Sequence, residues 1–240
     1  MRTDKSTVRL LGAVFLLVFL ASIISNALLD SATVGGSMSE ILATIPNNLV
    51  LMRVSILIEL VTSIGIVALA ALLYIVFGKR YPVIATVALG WWLAEGIILA
   101  VSKVGAFALI PLSLDFVEAG APASSFYQTL GNFLYYGVDR QAWSLHMLFF
   151  SLGGILWYYL FFKSRAIPRA LGIWGVAAIC LLTVNVVWSL YDPDVGTMFL
   201  FGAPYLVFEL LIGPWLMIKG ISDGSEISRS LVGEMSSQPG

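Results

Sequence analysis

The stretch LVLMRVSILIELVTSIGIVALAALLYIVF, residues 49–77, decides the class of fold. Arg53 and Glu59 are its only charged residues. A helix that crosses a membrane needs about 20 predominantly apolar residues, and this stretch is longer. Its apolar residues do not alternate at a period of two, which excludes a strand of a membrane barrel. The stretch therefore predicts a transmembrane helix that carries two charges.

The rest of the chain has the same character. Of its 240 residues, 59% are hydrophobic and 11% are charged, whereas soluble domains are about 45–50% apolar and 25% charged. The mean hydropathy is +0.95. Six apolar segments follow one another, at residues 10–29, 49–77, 83–110, 142–162, 167–190 and 198–218. The sequence predicts an all-α fold, a polytopic membrane bundle of six transmembrane helices that forms one domain over residues 1–221. A Ser- and Gly-rich polar tail, residues 222–240, is predicted to be disordered.

The distribution of basic residues predicts the orientation of these helices. Lysines and arginines lie before the first helix, after the second, after the fourth and after the sixth, while the opposite loops are mainly acidic. Basic loops face the cytoplasm by the positive-inside rule. We therefore expect both termini to be cytoplasmic, in a multi-pass protein of the cytoplasmic membrane. The first segment is expected to stay uncleaved, because its apolar run exceeds the about 7–15 residues of a signal peptide core.

Two loops on the predicted outer side carry local signals. Ser37 and Glu40 have the spacing of a capping box, which predicts a short helix before the second span. The loop over residues 111–141 contains the aromatic run FYQTLGNFLYY. Such a run is suited to the membrane interface, and an ordinary covered loop is the alternative.

Ionisable residues inside the predicted spans are the candidate functional site. They are Arg53, Glu59, Glu95, Lys103, His146 and Glu209. A charged residue at the centre of a membrane helix costs about 2.5–3.5 kcal/mol on insertion scales, so these residues are expected to face inward, to pair or to be neutral. We predict that they form a polar or ligand-binding cluster.

Helical geometry and depth refine this cluster. Ser55, Glu59, Thr62 and Ser63 share one face of the second span. Arg53 lies about 120° around that helix from Glu59 and about 9 Å along it, so each is expected to find its partner on another helix. Most of the ionisable residues fall in the predicted outer half, with Glu95 and Glu209 near the midplane. This distribution predicts a polar vestibule that opens outward above an apolar cytoplasmic floor.

Composition also excludes several kinds of chemistry. One histidine and one cysteine cannot supply a multi-histidine zinc site or two axial haem histidines, so no metal and no cofactor is expected. No Gly-x-Gly-x-x-Gly stretch or P-loop is present. A pI of about 5.8 without a basic run gives no footprint for nucleic acid. The expected partners are membrane lipid and a small-molecule ligand, and the oligomeric state stays open.

Three functional interpretations follow from the charges. Buried pairs could simply lock the bundle, an outward-open pocket could bind a small or lipid-like ligand, or the protein could be a proton- or ion-coupled transporter. An intramembrane enzyme is a minority case of the second interpretation, with Glu59 or Glu95 as general acid or base and Arg53 binding an anionic group. The residues favour a non-enzymatic role.

Several stretches also resemble one protein family. They are NNLVLMRVS (47–55), LLYIVFGK (72–79), WWLAEGIILAVSKV (91–104), FFKSRAIPRALG (161–172) and PWLMIKGI (214–221). In this order they are similar to the bacterial domain-of-unknown-function 4386 family, over residues 10–221. The resemblance implies a six-helix bacterial membrane protein without an assigned activity. Arg53, the link with Ser164, Pro168, Arg169 and Gly172, and the end with Lys219 and Gly220 match its recurring pattern.

Overall fold

The structure is a computed structural model that describes residues 4–122, 126–192 and 199–221. All regular structure within these ranges is helical. The helices are α1 (Lys5–Ala32), α2 (Met38–Thr44), α3 (Leu49–Phe77), α4 (Pro82–Glu118), α5 (Phe126–Asn132), α6 (Gln141–Ser164), α7 (Arg169–Tyr191) and α8 (Phe199–Ile218). A 3₁₀ turn, Ile45–Asn48, leads into α3, and a π-helical turn, Phe133–Arg140, joins α5 to α6. The predicted disordered tail, residues 222–240, lies outside the described residues.

Six helical spans among the described residues are long and apolar enough to cross a membrane. They correspond to α1, α3 with the preceding α2 and 3₁₀ turn, α4, α6 with the preceding α5 and π-helical turn, α7 and α8. The all-α fold with six transmembrane helices is therefore confirmed. The cytoplasmic position of both termini stays a prediction.

Helix α4 extends beyond the end that the sequence indicates. It continues through Pro111 to Glu118, whereas the apolar run stops at Ile110. Polar residues after Pro111 lower the hydropathy without ending the helix, because Leu112, Ser113 and Phe116 are buried. Helix length is thus set here by a buried face that hydropathy alone does not reveal.

The two loop signals have clear structural counterparts. Ser37 and Glu40 form the predicted capping box at the start of α2, with the Glu40 amide donating to Ser37 Oγ at 3.3 Å. The aromatic run forms α5 and the π-helical turn. Tyr135, from this run, is buried in an apolar cluster with Leu29, Ile41 and Met52. Tyr135 therefore belongs to a core, whereas Phe126, Phe133 and Tyr136 of the same run are exposed.

The described helices divide into two compact units. The first, here called the Glu59 unit, contains residues 17–68 and 91–150 apart from 123–125. The second, here called the Tyr205 unit, contains residues 4–16, 69–90, 151–192 and 199–221. The single domain over residues 1–221 stays a prediction.

The core of the Tyr205 unit consists of aromatic rings and close helix contacts. Trp157 and Phe161 are fully buried, and Phe161 meets Phe77 edge to face at 4.9 Å. A Cβ on Gly12 would lie 2.5 Å from the carbonyl oxygen of Gly213, so α1 and α8 touch through glycine. Small residues allow membrane helices to approach each other this closely. The resulting van der Waals packing holds the helices together, because lipid supplies no hydrophobic driving force between them.

Candidate functional site

Four of the six predicted site residues lie buried within the Glu59 unit. Glu59, Glu95, Lys103 and His146 are only 2%, 2%, 4% and 6% exposed. They come from three helices, with Glu59 on α3, Glu95 and Lys103 on α4 and His146 on α6. Arg53 and Glu209 lie elsewhere, as described below.

Lys103 forms a buried ion pair with Asp139. The distance from Lys103 Nζ to Asp139 Oδ1 is 2.8 Å, and Asp139 is 1% exposed. The sequence places Asp139 in the loop over residues 111–141, and that expectation is wrong. Asp139 is on the π-helical turn, which continues into α6 and carries its carboxylate into the interior. The lysine is thus neutralised by an acid that sequence reasoning missed.

A close backbone contact positions the π-helical turn. A Cβ on Gly105 would lie 2.5 Å from the carbonyl oxygen of Leu134 and 3.1 Å from the Asp139 nitrogen. The turn closes with the Gln141 amide donating to the carbonyl of Tyr136, five residues earlier. Single π-helical turns are often found at functional sites. Gly105 therefore lets the backbone that carries Asp139 approach α4.

A sequence signal for Asp139 does exist. Gly131, Tyr135 and Asp139 are the buried residues of α5 and the π-helical turn, and they are spaced four apart. Such a spacing marks one face of a helix. Asp139 and Arg140 interrupt the apolar run, so a hydropathy profile does not reveal this face.

Glu59 lies beside the ion pair but is not part of it. Its carboxyl group is close to the Ser25 side chain and within electrostatic range of Lys103 and Asp139. Its Oε2 atom is buried and has no hydrogen-bond partner among the described residues. No cation in the part of the chain that the structure describes forms an ion pair with it. A buried acceptor of this kind calls for a ligand, a proton or a water molecule.

The predicted polar stripe around Glu59 is buried, and its hydroxyl groups bond to backbone carbonyls. Ser25 on α1 donates to the Ser55 carbonyl at 3.0 Å, and Ser63 on α3 donates to the Gly96 carbonyl on α4. Thr62 donates to Ile58 on its own helix. The Ser25 and Ser63 bonds join neighbouring helices of the Glu59 unit, and Glu59 is the ionisable member of the stripe.

His146 occupies the same buried region from α6. Its ring meets the Trp143 ring edge to face at 5.4 Å, and it lies within electrostatic range of Lys103. Ser144, two residues away, donates to the Arg140 carbonyl at 3.4 Å. His146 therefore borders the ion pair.

A second polar chain lies at the edge of the Glu59 unit. Arg140 Nη2 donates to Asp30 Oδ1 at 2.7 Å and to the Tyr135 hydroxyl at 2.6 Å. The Tyr135 hydroxyl in turn lies 3.1 Å from Thr33 Oγ1. Asp30 is exposed, and ion pairs open to solvent contribute only about 0–1 kcal/mol. This chain supports the position of the π-helical turn.

Arg53 does not join the buried cluster. Its side chain is exposed, on a stripe of α3 that it shares with the exposed residues Val50, Val54 and Leu57. Helix α3 begins at Leu49, so Arg53 is one turn from the helix end. A long basic side chain there can extend to the membrane interface, and its burial is not required. The expectation that Arg53 faces inward is therefore wrong.

Glu209 belongs to a separate polar chain within the Tyr205 unit. The Tyr205 hydroxyl donates to Glu209 Oε1, and it lies 2.9 Å from the Tyr158 hydroxyl. Tyr158 and Tyr205 are buried, and the Tyr158 ring meets Phe208 edge to face at 4.8 Å. Glu209 is therefore assigned to a different unit from Glu59 and Lys103, and both the six-residue cluster and the outward-opening vestibule stay predictions.

Comparison with known proteins gives a family. No curated protein and no solved structure matches the chain. One protein-family model, described as a domain of unknown function (DUF4386), matches residues 10–220 and thus most of the chain. The chain therefore belongs to the DUF4386 family.

Proposed function

We propose that the protein binds a small cation, or the cationic group of a small polar molecule, at Glu59. The observation that carries this proposal is a carboxyl group that is 2% exposed and has an oxygen without a partner among the described residues. The Lys103–Asp139 ion pair next to it is the structural part of the site.

The charge balance around Glu59 supports a cationic ligand. Lys103 is the only lysine or arginine among the buried described residues of the Glu59 unit, and Asp139 already neutralises it. An ionised carboxylate away from water is costly unless a positive charge or a proton neutralises it. A ligand cation supplies that charge, and the nearby Ser25 hydroxyl is available as a further polar contact.

Thermal unfolding of the purified protein tests this proposal. Melting temperatures are measured with Na⁺, K⁺, ammonium, guanidinium and tetramethylammonium chlorides, with N-methylglucamine chloride as the large reference cation at equal ionic strength. A ligand at 100 times its Kd stabilises the native state by about 2.7 kcal/mol. We expect at least one cation to raise the melting temperature of the wild type and to have no effect on Glu59→Gln.

The matched control is Glu118→Gln, which makes the same chemical change at an exposed position of α4. This variant should respond to the cation as the wild type does. The proposal is wrong if Glu59→Gln responds to the same degree as the wild type, or if no cation in the series raises the melting temperature.

A purely structural role is the second candidate, and the Lys103–Asp139 distance of 2.8 Å favours it. In that case the pair fixes α4 against the π-helical turn, and Glu59 has no ligand. The cation series separates the two candidates, because a structural pair predicts no cation-specific stabilisation.

A further inference from the structure

A small cavity in the Tyr205 unit is lined by basic side chains. It has a volume of about 270 Å³ and lies where the link between α6 and α7 meets the end of α8. Its lining includes Arg165, Arg169 and Lys219, together with Trp215, and none of the described residues that line it is acidic. The cavity is slightly smaller than the roughly 300–1,000 Å³ of sites for drug-sized ligands, so it suits a compact group.

The link is anchored so that its basic residues stay at the surface. Ala166 and Ile167 are 4% and 2% exposed and hold the middle of the link in the interior. Arg165 and Arg169 flank this anchor and are exposed. Arg165 has a φ of +56°, a left-handed conformation that costs a residue with a Cβ about 1–2 kcal/mol. The fold thus holds an arginine in a backbone conformation that glycine would adopt more easily.

The charges of this cavity are not neutralised within the described chain. Arg165, Arg169 and Lys219 form no ion pair with any residue that the structure describes. Other cations of the same unit have aromatic partners, since Arg80 lies 5.5 Å from the centre of the Tyr81 ring and Lys163 lies 5.4 Å from that of Tyr159. The lining cations are therefore available to an anion.

The start of α7 adds to this preference. Pro168 is its N-cap residue and makes no side-chain capping bond, so no capping side chain occupies the amide groups of the first turn. These amides and the helix dipole favour negative charge. Trp215 supplies an aromatic wall of the kind found at membrane interfaces.

We propose that this cavity binds a phosphate group, with Arg165, Arg169 and Lys219 as its ligands. The group comes from the headgroup of an anionic phospholipid or from a soluble phosphate. Basic pockets between membrane helices are a known type of phospholipid headgroup site. The site lies at the ends of apolar spans, which gives a bound lipid room for its chains along the helices.

Native mass spectrometry of the detergent-solubilised full chain tests the lipid source. Phosphatidylglycerol and phosphatidylcholine are titrated separately. The lipid bound by the wild type is compared with the lipid bound by Arg165→Gly, Arg169→Gln and Lys219→Gln. We expect tighter binding of phosphatidylglycerol to the wild type and a loss of about fivefold in affinity for each charge removed. Arg165→Gly is informative because glycine suits the positive φ, so a loss of binding there does not come from misfolding.

The matched control is Arg80→Gln, which removes an exposed cation of the same unit that does not line the cavity. It should bind phosphatidylglycerol as the wild type does. Titration with inorganic phosphate and glycerol 3-phosphate tests the soluble source. If these ligands bind in place of lipid and lose affinity in the same three variants, the site takes a soluble phosphate.

The proposal is overturned if phosphatidylglycerol binds no more tightly than phosphatidylcholine and neither soluble phosphate binds. It is also overturned if Arg80→Gln lowers the affinity as much as the three cavity variants do, because a general surface charge then explains the binding.

Discussion

At the scale of single residues, burial separates two basic side chains that look alike in the sequence. Arg53 and Lys103 both fall inside apolar runs, but Arg53 is exposed and Lys103 is 4% exposed with a partner at 2.8 Å. Removal of one partner of a buried pair leaves an uncompensated charge, which costs about 3–5 kcal/mol. A change at an exposed position without a partner usually stays within about 0.5 kcal/mol.

Arg53→Ala should therefore leave the free energy of unfolding almost unchanged, while Lys103→Met should lower it by about 3–5 kcal/mol. Equilibrium unfolding of the purified variants in detergent measures both values. A large loss for Arg53→Ala would show that Arg53 has a partner that burial does not reveal.

The sequence could identify the buried carboxylates but not their partners. Glu59 and Glu95 were predictable because they lie far from the ends of their apolar runs, where a charge must be buried or neutral. The exposure of Arg53 was not predictable, because near a helix end a long basic side chain can reach the interface from any face. Asp139 was missed because its contact with Lys103 depends on a long-range approach of two segments.

At the scale of elements, Gly105 sets the distance between α4 and the π-helical turn. Gly105→Ala places a methyl group 2.5 Å from the Leu134 carbonyl oxygen, which belongs to backbone and cannot move freely. Overpacking of this kind costs about 1–3 kcal/mol. We expect Gly105→Ala to lower the melting temperature and to weaken the Lys103–Asp139 pair.

Gly90→Ala is the matched control on the same helix. Its Cβ would meet nothing within 4 Å, so the change should raise stability by about 0.5–1 kcal/mol through helix propensity alone. Differential scanning calorimetry of the two variants and the wild type measures both changes in melting temperature. Equal melting temperatures for Gly105→Ala and Gly90→Ala would contradict the close contact at Gly105.

Helix positions were predictable, and the π-helical turn was not. The span over Leu49–Phe77 follows directly from an apolar run that is bounded by polar residues. The π-helical turn needs the contact with Gly105, which no local pattern encodes. The far end of α4 was missed for the same reason, because its burial depends on a distant segment. The Phe116 ring at this end lies 5.9 Å from the Tyr127 ring on α5.

At the scale of the whole molecule, the basic loops predict cytoplasmic termini. Cys180 is the only cysteine, so Cys180→Ser gives a cysteine-free chain for labelling. In this background, Glu118→Cys should react with a membrane-impermeant maleimide in intact cells, and Arg80→Cys should react only after lysis. Both positions are exposed in the structure, so burial does not limit the reaction. The reverse pattern would place the termini outside.

The buried polar groups of the two units differ in composition and call for different roles. In the Tyr205 unit, Tyr158, Tyr205 and Glu209 bond to one another. In the Glu59 unit, the ion pair is complete and Glu59 is left beside it with an unpartnered oxygen among the described atoms. The account therefore assigns structure to the ion pair and ligand binding to Glu59.

One comparison tests that assignment most directly, the free energies of unfolding of Asp139→Asn and Glu59→Gln in the absence of added ligand. Each variant replaces a buried carboxyl group with an amide of the same shape. Asp139→Asn should lose about 3–5 kcal/mol because Lys103 is left without its counter-charge. Glu59→Gln should stay within about 1 kcal/mol of the wild type, since Glu59 forms no ion pair with the described residues. Equal losses in the two variants, or a larger loss for Glu59→Gln, would contradict the account.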